Sequence, residues 1–318
     1  MDSKILKEPL VSIIMNCYNG EEYLEETIVS VLNQTYQNWE IIFWDNLSSD
    51  SSKDIFESFK DSRMKYYLAP SFTDLGMARV NALKKASGDF IAILDDDDLW
   101  FPNKLEVQIP IFKDIEIGIV ISDTIYFDET KKEKRMYEAG YPPSGYVAKH
   151  LLKNYFVSLE TVVLRSSTVF SLPYAFDSDF DVTSDLDIVI RVSMISKLFV
   201  CKDILGKWRK YSTSLTYTNR NKFMEEREVW IEKQINLIEG FEVKYKDSIK
   251  EFKKKNLRLR AIYYLSSNQK RLALMSVIKT KPSNWIDFGL LVACLIPYSS
   301  RIIAYLSDKK WLFSYSRG

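Results

Sequence analysis

The sequence predicts an α/β fold in which a mixed, mostly parallel sheet is flanked by helices and followed by a helical C-terminal extension. Short apolar runs alternate with segments of helical period over the first hundred residues. These runs show no alternation of apolar and polar residues, which is typical of strands covered on both faces of a parallel sheet. From about Asn221 onward the composition turns helical, as in the lysine-rich stretch Lys244–Arg260.

The first elements follow in the order strand, helix, strand, helix, strand, helix, strand. We expect the strands at Val11–Met15, Glu40–Trp44, Lys65–Ala69 and Asp89–Leu94. The helices between them are indicated by apolar residues at helical spacing from Leu24 to Leu32, by the serine- and aspartate-rich start of segment 48–59, and by Met77–Ser87. Further along, Ile117–Asp128 predicts a strand and Ser184–Ser196 a helix.

Composition excludes several classes of protein. The chain has 318 residues, of which 46% are apolar and 14% aromatic, so disordered, collagenous and coiled-coil chains are excluded. Its three cysteines are scattered and odd in number, which favours neither a disulfide framework nor a cysteine metal site and indicates a reducing, cytoplasmic setting. The N-terminus lacks the apolar run of a secretory signal.

The net charge of +1 conceals an asymmetry along the chain. Residues 1–200 contain 20 basic and 32 acidic residues, whereas residues 201–318 contain 24 basic and 11 acidic residues. A basic C-terminal third can contact nucleic acid or an anionic membrane. No nucleic-acid recognition module accompanies this charge, so we expect no nucleic-acid partner.

Polar residues follow three of the expected strands. They are Asn16–Gly20, Asp45–Asp50 and the four consecutive aspartates Asp95–Asp98. Because parallel sheets bind ligands beyond the carboxyl ends of their strands, we expect the three loops to form one crevice. Unit charges about 4 Å apart repel by roughly 1 kcal/mol in bulk water and by more near protein. The acidic run therefore predicts a hard divalent cation, Mg²⁺ or Mn²⁺; a solvated loop that caps the next helix is the alternative.

The ordered motifs in segments 11–50 and 76–105 resemble the family 2 inverting glycosyltransferases, which have the GT-A fold. The resemblance is continuous over about the first 115 residues, from VSIIMNCYNG to DDDDLWFPNKL, and weaker as far as Thr216. It implies that residues 1–115 bind a nucleotide-sugar, that residues 116–218 bind the acceptor, and that residues 219–318 form a helical region.

The resemblance implies a set of donor contacts. Asn16 and Tyr18 would hold the base and ribose, Asp45 and Asn46 the uracil edge, and Arg79 the nucleotide. The family commonly has two aspartates where this chain has Asp45 and Asn46. An amide oxygen still accepts a hydrogen bond from a pyrimidine N–H, but its NH₂ group also donates. Arg79 has an alternative interpretation as a helix-surface arginine.

Within the acidic run, the resemblance assigns a DxD pair to Asp95 and Asp97. Asp95 would lie near the ribose and metal, Asp97 would ligate the cation that bridges the diphosphate, and Asp96 and Asp98 would orient these ligands. The implied cofactor is Mn²⁺ or Mg²⁺, which would stabilise the negative charge on the leaving diphosphate.

The segment TSDLDIVIR resembles the helix that carries the family's catalytic base. It implies Asp185 as the base, with Asp187 as a second candidate and Ser184 where the family usually has glutamate. Simple capping of the helix is the alternative. Further on, Arg209 and Ser214 match a segment that closes over the diphosphate, and Tyr211 stands where many members have histidine.

The C-terminal segment Trp285–Leu306 is apolar but interrupted by Asp287, Pro297 and Arg301. Its longest uncharged run is shorter than the ~20 residues of a spanning helix. Flanking basic residues, namely Lys279, Lys281, Arg301, Lys309 and Lys310, favour an interfacial helix pair on anionic lipid. A helical subdomain with a solvated basic face is the alternative.

Together these observations predict a metal-dependent inverting hexosyltransferase. We expect a nucleoside diphosphate sugar donor, most simply UDP-linked, and a hydroxyl acceptor on a glycan or lipid-linked oligosaccharide of surface polysaccharide synthesis. The expected location is cytoplasmic, peripheral on the inner face of the cell membrane. Alternatives are a nucleotide-sugar-binding protein without turnover and a nucleotidyltransferase, although the glycine-rich first loop of the latter is missing.

Overall fold

The computed structural model describes residues 8–128, 130, 132–211 and 213–296. Residue contacts divide the chain into two compact units. One contains the described part of residues 1–147 and 157–211, and the other contains that of residues 148–156 and 212–318. Pro297, Arg301, Lys309 and Lys310 of the expected interfacial segment lie outside the described residues.

The first unit is built on one nine-stranded mixed sheet. Its strands are β1 (Val11–Cys17), β2 (Trp39–Asp45), β3 (Met64–Leu68), β4 (Phe90–Ile93), β5 (Leu99–Trp100), β6 (Ile117–Asp128), β7 (Glu133–Arg135), β8 (Val163–Arg165) and β9 (Lys197–Lys210). The strand order is β3-β2-β1-β4-β8-β6-β9-β5, with β7 paired to β6. The first four strands are parallel to one another, and β6 is parallel to β9. The predicted α/β fold class is confirmed.

Helices connect and flank these strands. They are α1 (Leu24–Leu32), α2 (Ser52–Ser58), α3 (Leu75–Leu83), α4 (Lys104–Gln108), α6 (Ser166–Phe170) and α7 (Ser184–Ile195), with 3₁₀ helices at Ile109–Lys113 and Leu159–Thr161. Every residue of β1 and β2 is buried, which explains why most of their residues are apolar. Ile13, Ile28 and Phe43 belong to the hydrophobic core beside this sheet.

The second unit is helical. It contains α5 (Ala148–Lys153), α8 (Leu215–Thr218), α9 (Arg220–Leu237), α10 (Phe241–Ser266), α11 (Lys270–Lys279) and α12 (Trp285–Leu295). Ala261, Val277 and Cys294 form part of a small core shared by the last three helices. The expected helical C-terminal region is therefore present. The expected boundaries at residues 115 and 218 remain predictions. No helix among the described residues has the length and apolar character needed to cross a bilayer.

A buried ion pair joins α12 to α10. Asp287 is fully buried, and its carboxylate accepts hydrogen bonds from Arg258 Nε at 2.6 Å and Ser283 N at 3.2 Å and lies 3.0 Å from Lys254 Nζ. Burial alone would raise the pKa of Asp287, but the hydrogen bonds from Arg258 and Lys254 outweigh it and lower this pKa to about 2. The carboxylate therefore stabilises the folded helical unit.

We expect Asp287→Asn to lower the free energy of unfolding of the helical unit by about 2 kcal/mol at neutral pH, since one pKa unit corresponds to about 1.4 kcal/mol. The difference in free energy of unfolding between wild type and variant is largest above the ordinary aspartate pKa and is lost as the pH falls toward 2. Urea unfolding of both proteins at pH 7 and pH 3 measures it. Equal differences at the two pH values would contradict this account.

Candidate active site

The candidate site lies at the carboxyl ends of β1, β2 and β4. Cys17 pairs with Asp45 in the sheet, and Ile93 pairs with Ile14, so the loops that follow these strands leave the same edge. Asn16 is buried at the end of β1, and its Nδ2 group has no hydrogen-bond partner among the described residues. Tyr18 follows with half of its side chain exposed. The convergence expected from the parallel sheet is present.

The loops after β1 and β2 are braced to each other. Asn19 has a φ of 55°, a left-handed conformation that asparagine tolerates. Its Oδ1 atom accepts a hydrogen bond from Ser49 N at 2.8 Å, and its own N–H donates to Ser48 Oγ at 3.0 Å. Gly20 N donates to Ser52 Oγ at 2.9 Å. These bonds fix the backbone around Tyr18.

The side chains of Asp45 and Asn46 are engaged within the protein. Asp45 accepts hydrogen bonds from Tyr66 Oη at 2.6 Å and Ser48 N at 2.7 Å. Asn46 donates to Thr73 O at 2.7 Å and accepts from Thr73 N at 3.3 Å. The expected reading of a uracil edge by this pair stays a prediction, and the structure gives both residues a role in holding loops.

The four aspartates form a tight turn after β4, in which Asp98 N donates to Asp95 O at 3.3 Å. Each carboxylate has a different neighbour. Asp95 accepts from Arg79 at 2.9 Å, Asp96 hydrogen-bonds the Cys17 thiol, Asp97 accepts from Tyr211 Oη at 2.6 Å, and Asp98 accepts from Arg209 N at 2.9 Å. The fold brings Arg79, Arg209 and Tyr211 together at this turn.

Burial and mutual repulsion shift the protonation of this turn. Burial, followed by the charges of neighbouring aspartates, raises the pKa of Asp96 and Asp97 above the usual value for aspartate. The same two causes raise the pKa of Asp98 well above it. Clustered carboxylates that resist ionisation are stabilised by an added positive charge. The turn is therefore electrostatically suited to a cation.

Arg79 links the acidic turn to the helix of the expected base. Its side chain is buried on α3, so it is not a surface arginine. One guanidinium nitrogen contacts Asp95, another donates to Ser184 Oγ at 2.6 Å, and Nε has no hydrogen-bond partner among the described residues. Ser184 begins α7. The acidic turn and the start of α7 thus both contact the Arg79 guanidinium.

The two acidic residues of α7 have different environments. Asp185 is half-buried, next to Ser184 in the first turn. Asp187 is fully buried, and its carboxylate is held by Arg191 Nε at 2.7 Å and by a second, shorter bond to Nη2. Arg191 also donates to Tyr174 O at 2.6 Å. The ion pair gives Asp187 a structural role and favours Asp185 as the candidate base.

Arg209 and Tyr211 close the site from the end of β9. The Arg209 guanidinium lies 4.2 Å from the ring centre of Tyr23 and 4.6 Å from that of Phe127, and Nη2 contacts Glu26 at 2.7 Å. Tyr23, Phe127 and Glu26 were not predicted, because nothing in their local sequence indicates a partner more than 80 residues away. His150, the single histidine of the chain, is exposed on α5 in the other unit.

A divalent cation fits the residues present at the turn. Among the described residues, no group of three or more histidine, cysteine, aspartate or glutamate side chains forms a complete metal site. Mg²⁺, however, is usually bound by one or two carboxylates together with substrate phosphates. Asp97 and Asp95 could supply those carboxylates, and burial together with the charge of Asp95 raises the pKa of Asp97.

Comparison with known proteins identifies the family. Residues 12–168 match the model of glycosyl transferase family 2. The chain is also 34% identical, over 223 residues, to UDP-Glc:alpha-D-GlcNAc-diphosphoundecaprenol beta-1,3-glucosyltransferase WfgD from Escherichia coli, covering 70% of this chain and 84% of the relative. The chain belongs to glycosyl transferase family 2. It is therefore a glycosyltransferase, as the sequence predicted.

Solved structures share the fold of this family 2 chain. S. aureus TarS 1-349 in complex with UDP-GlcNAc has a TM-score of 0.66 at 15% identity, covering 95% of this chain and 91% of that one. Mannosyltransferase PcManGT from Pyrobaculum calidifontis, in complex with GDP-Man and Mn²⁺, has a TM-score of 0.60 at 16% identity, covering 97% and 88%. Both likenesses extend over nearly the whole chain and confirm the GT-A fold.

We expect Gly76→Ala to disrupt the link between α3 and α7. A Cβ atom at Gly76 would lie 1.9 Å from Phe180 O, a backbone atom that cannot rotate away. Overpacking of this kind costs about 1–3 kcal/mol, and the displaced helix carries Arg79. The melting temperature should fall, and UDP should bind more weakly.

Gly289→Ala in α12 is the matched control, because its Cβ meets no atom within 4 Å. That variant should be neutral or more stable by up to about 1 kcal/mol. If Gly76→Ala unfolded and bound UDP like the control, the close packing of α3 on segment 177–180 would not matter for the site.

Proposed function

We propose that this glycosyltransferase moves a hexose from a UDP-sugar to a hydroxyl of a lipid-linked glycan in surface polysaccharide synthesis, with inversion and with a divalent cation. One observation carries the proposal: Arg79 hydrogen-bonds both the acidic turn after β4 and the start of the helix that carries Asp185. The turn proposed to bind the diphosphate and the helix of the candidate base are thus joined by one hydrogen-bond network.

Two comparisons support the nature of the substrates. The full name of WfgD describes a UDP-Glc donor and a diphosphoundecaprenol-linked GlcNAc acceptor. TarS has the same fold and was crystallised with UDP-GlcNAc. Asn16 Nδ2 is a buried donor at the carboxyl edge of β1 that suits an oxygen of a base or ribose. These points favour uridine as the nucleoside and a lipid diphosphate as the carrier of the acceptor.

Asp97 and Asp95 would hold Mn²⁺ or Mg²⁺ against the two phosphates of the donor, with Asp96 and Asp98 beside them. When bound, the cation would neutralise charge on the leaving diphosphate. The remaining residues can be given roles from their contacts. Tyr211 orients the Asp97 carboxylate through its hydroxyl, and Arg209 places positive charge at the same turn.

Transfer with inversion is a single displacement. The acceptor oxygen forms a bond to the anomeric carbon while the bond from that carbon to the diphosphate breaks. The acceptor proton passes to Asp185, which acts as general base on the face opposite the leaving group. Arg191 holds Asp187 inside the helix packing and so keeps α7, and with it Asp185, in a fixed orientation. Residues 1–115 would bind the donor and residues 116–218 the acceptor.

We expect Asp185→Asn to lower turnover by at least about a hundredfold, the usual contribution of a general base, while UDP binding changes little. Asp97→Ala should lose both turnover and metal-dependent binding. A panel of nucleotide sugars with Mn²⁺, scored by released diphosphate with and without chelator, measures turnover.

Asp203→Asn is the control, because Asp203 is an exposed acid on β9. A binding protein without turnover would release no diphosphate with any sugar. A nucleotidyltransferase would release pyrophosphate from a nucleoside triphosphate instead. Unchanged turnover in Asp185→Asn would contradict the role of the base.

The helical unit carries a surface that suits a peripheral membrane location. On α11 and α12 a stripe of large apolar side chains is exposed: Leu272, Met275, Ile278, Trp285, Phe288, Val292 and Leu295. Between residues 268 and 296 the single acidic residue is Asp287, which is buried, whereas Arg271, Lys279 and Lys281 are exposed. Apolar residues flanked by basic ones favour binding to anionic lipid. We include attachment to the inner face of the cell membrane in the proposal.

We expect the wild-type protein to sediment with phosphatidylglycerol vesicles at low salt and to bind phosphatidylcholine vesicles less. The double variant Trp285→Ser with Phe288→Ser should bind at least about tenfold more weakly, because each exposed large apolar side chain contributes about 1.5–3 kcal/mol when buried. Val243→Ser is the control, because Val243 is 85% exposed on α10, outside the stripe. Equal sedimentation of both variants would contradict a role of this surface in lipid binding.

A further inference from the structure

The segment between β3 and α3 carries an exposed aromatic ring. Residues 69–74 have no regular structure, and Phe72 is 55% exposed. Its ring lies against that of Tyr18, which is 52% exposed, with the ring centres 4.7 Å apart and an angle of 59° between the planes. Two large rings that contact each other while remaining half in solvent form a small apolar surface beside a polar site.

The position of this surface follows from the strand order. Tyr18 follows β1 and Phe72 follows β3, and β2 lies between these two strands. The aromatic pair therefore spans the end of β2, where Asp45 and Asn46 begin their loop. A nucleobase has a flat π face that stacks on aromatic side chains whatever its hydrogen-bonding edge. A base is the part of a nucleotide that this pair can recognise.

Asn46 holds the segment that bears Phe72. Its side chain makes three hydrogen bonds to Thr73: Nδ2 donates to Thr73 O at 2.7 Å, and Oδ1 accepts from Thr73 N at 3.3 Å and from Thr73 Oγ1 at 3.2 Å. Asn46 is buried, so water competes little for these bonds. The amide pairs with the backbone of Thr73 as a neighbouring strand would.

This pairing requires an amide. A donor and an acceptor must sit side by side, and an asparagine side chain provides both. An ionised aspartate provides acceptors alone, so it would face the carbonyl oxygen of Thr73 with a negative oxygen. Burying such an unsatisfied pair is unfavourable by about 1–3 kcal/mol. The chain thus has a physical reason for asparagine at position 46.

The neighbouring residue braces the start of the same segment. Asp45 O accepts from Ala69 N at 2.8 Å, and the Asp45 carboxylate accepts from Tyr66 Oη. The segment is held at both ends, at Ala69 by Asp45 and at Thr73 by Asn46. Pro70, Ser71 and Phe72 between these two points are exposed.

We propose that Asn46 is a positioning residue, which through Thr73 sets Phe72 against Tyr18 to form the surface on which the donor's base stacks. Asn46 does not read the hydrogen-bonding edge of the base. The proposal rests on the proposed function, because it requires a nucleoside diphosphate donor. The need for an amide at this position also explains why the chain has asparagine where the family commonly has a second aspartate.

The test uses the full chain and calorimetric binding of UDP and CDP in the presence of Mn²⁺. Phe72→Leu should lower the affinity for UDP about tenfold, the loss expected for one aromatic stacking partner. Phe72→Tyr should bind like wild type. Asn46→Asp should also weaken UDP about tenfold, although it restores the family's residue. Both losses should apply equally to UDP and CDP, so the ratio of the two affinities stays at its wild-type value.

A double variant separates positioning from direct contact. If Asn46 acts through Phe72, adding Asn46→Asp to Phe72→Leu should weaken UDP by much less than a further tenfold. Ser71→Ala, a change of an exposed neighbour in the same segment, is the control and should bind UDP normally. Thermal unfolding of each variant shows whether it is folded. If Asn46→Asp does not fold, Phe72→Leu, which changes a surface residue, still tests the stacking surface.

Three results with the Asn46 variants would overturn the proposal: tighter UDP binding by Asn46→Asp, a changed ratio of UDP to CDP affinity in that variant, or fully additive losses in the double variant. Normal UDP binding by Phe72→Leu would also overturn it. Failure of the wild-type chain to bind any nucleoside diphosphate is a different outcome, because it would contradict the proposed function itself.

Discussion

The site depends on the concentration of negative charge at the end of β4. Four carboxylates in one turn repel one another; Asp98 is buried, the other three are partly buried, and the surrounding structure is arranged to contain them. Arg79 and Arg209 approach from two sides, and Tyr211 donates to Asp97. Even the backbone of the first loop makes room, because a Cβ atom at Gly20 would lie 2.2 Å from the Asp96 carboxylate. A turn built in this way is held in place before any ligand arrives, and the added charge of a cation would complete it.

The second organising feature is the bracing of loops across the sheet edge. The loop after β1 is bonded to the loop after β2 through Asn19, and the loop after β2 is bonded to the segment after β3 through Asn46. Each brace is a side-chain amide that satisfies backbone groups of the neighbouring loop. Loops carry function, but loops without such anchors are mobile. The parallel sheet therefore brings the loops together, and these amides keep them fixed relative to one another.

The sequence allowed the first four strands, the long strand at Ile117–Asp128 and the helix at Ser184 to be predicted, because each strand is a local apolar run and the helix has a local composition typical of helices. It also placed the acidic turn, since parallel strands end at one edge. It did not reveal the 14-residue strand β9, whose sequence mixes charged and apolar residues. Nor did it reveal Phe72 or the partner of Asn46, because such contacts join segments that only the folded sheet brings together. Asp187 was the second candidate after Asp185 as the base, and its burial beside Arg191 is a feature that the sequence did not reveal.

The proposed activity requires that the acidic turn hold a cation next to the two phosphates of the donor. A crystal structure of the protein with UDP and Mn²⁺ tests this requirement most directly. We expect anomalous scattering from Mn²⁺ between the Asp97 carboxylate and the phosphate oxygens, with the uracil beside Tyr18. Diphosphate bound by arginines with no metal at the turn, or UDP bound elsewhere on the chain, would contradict it.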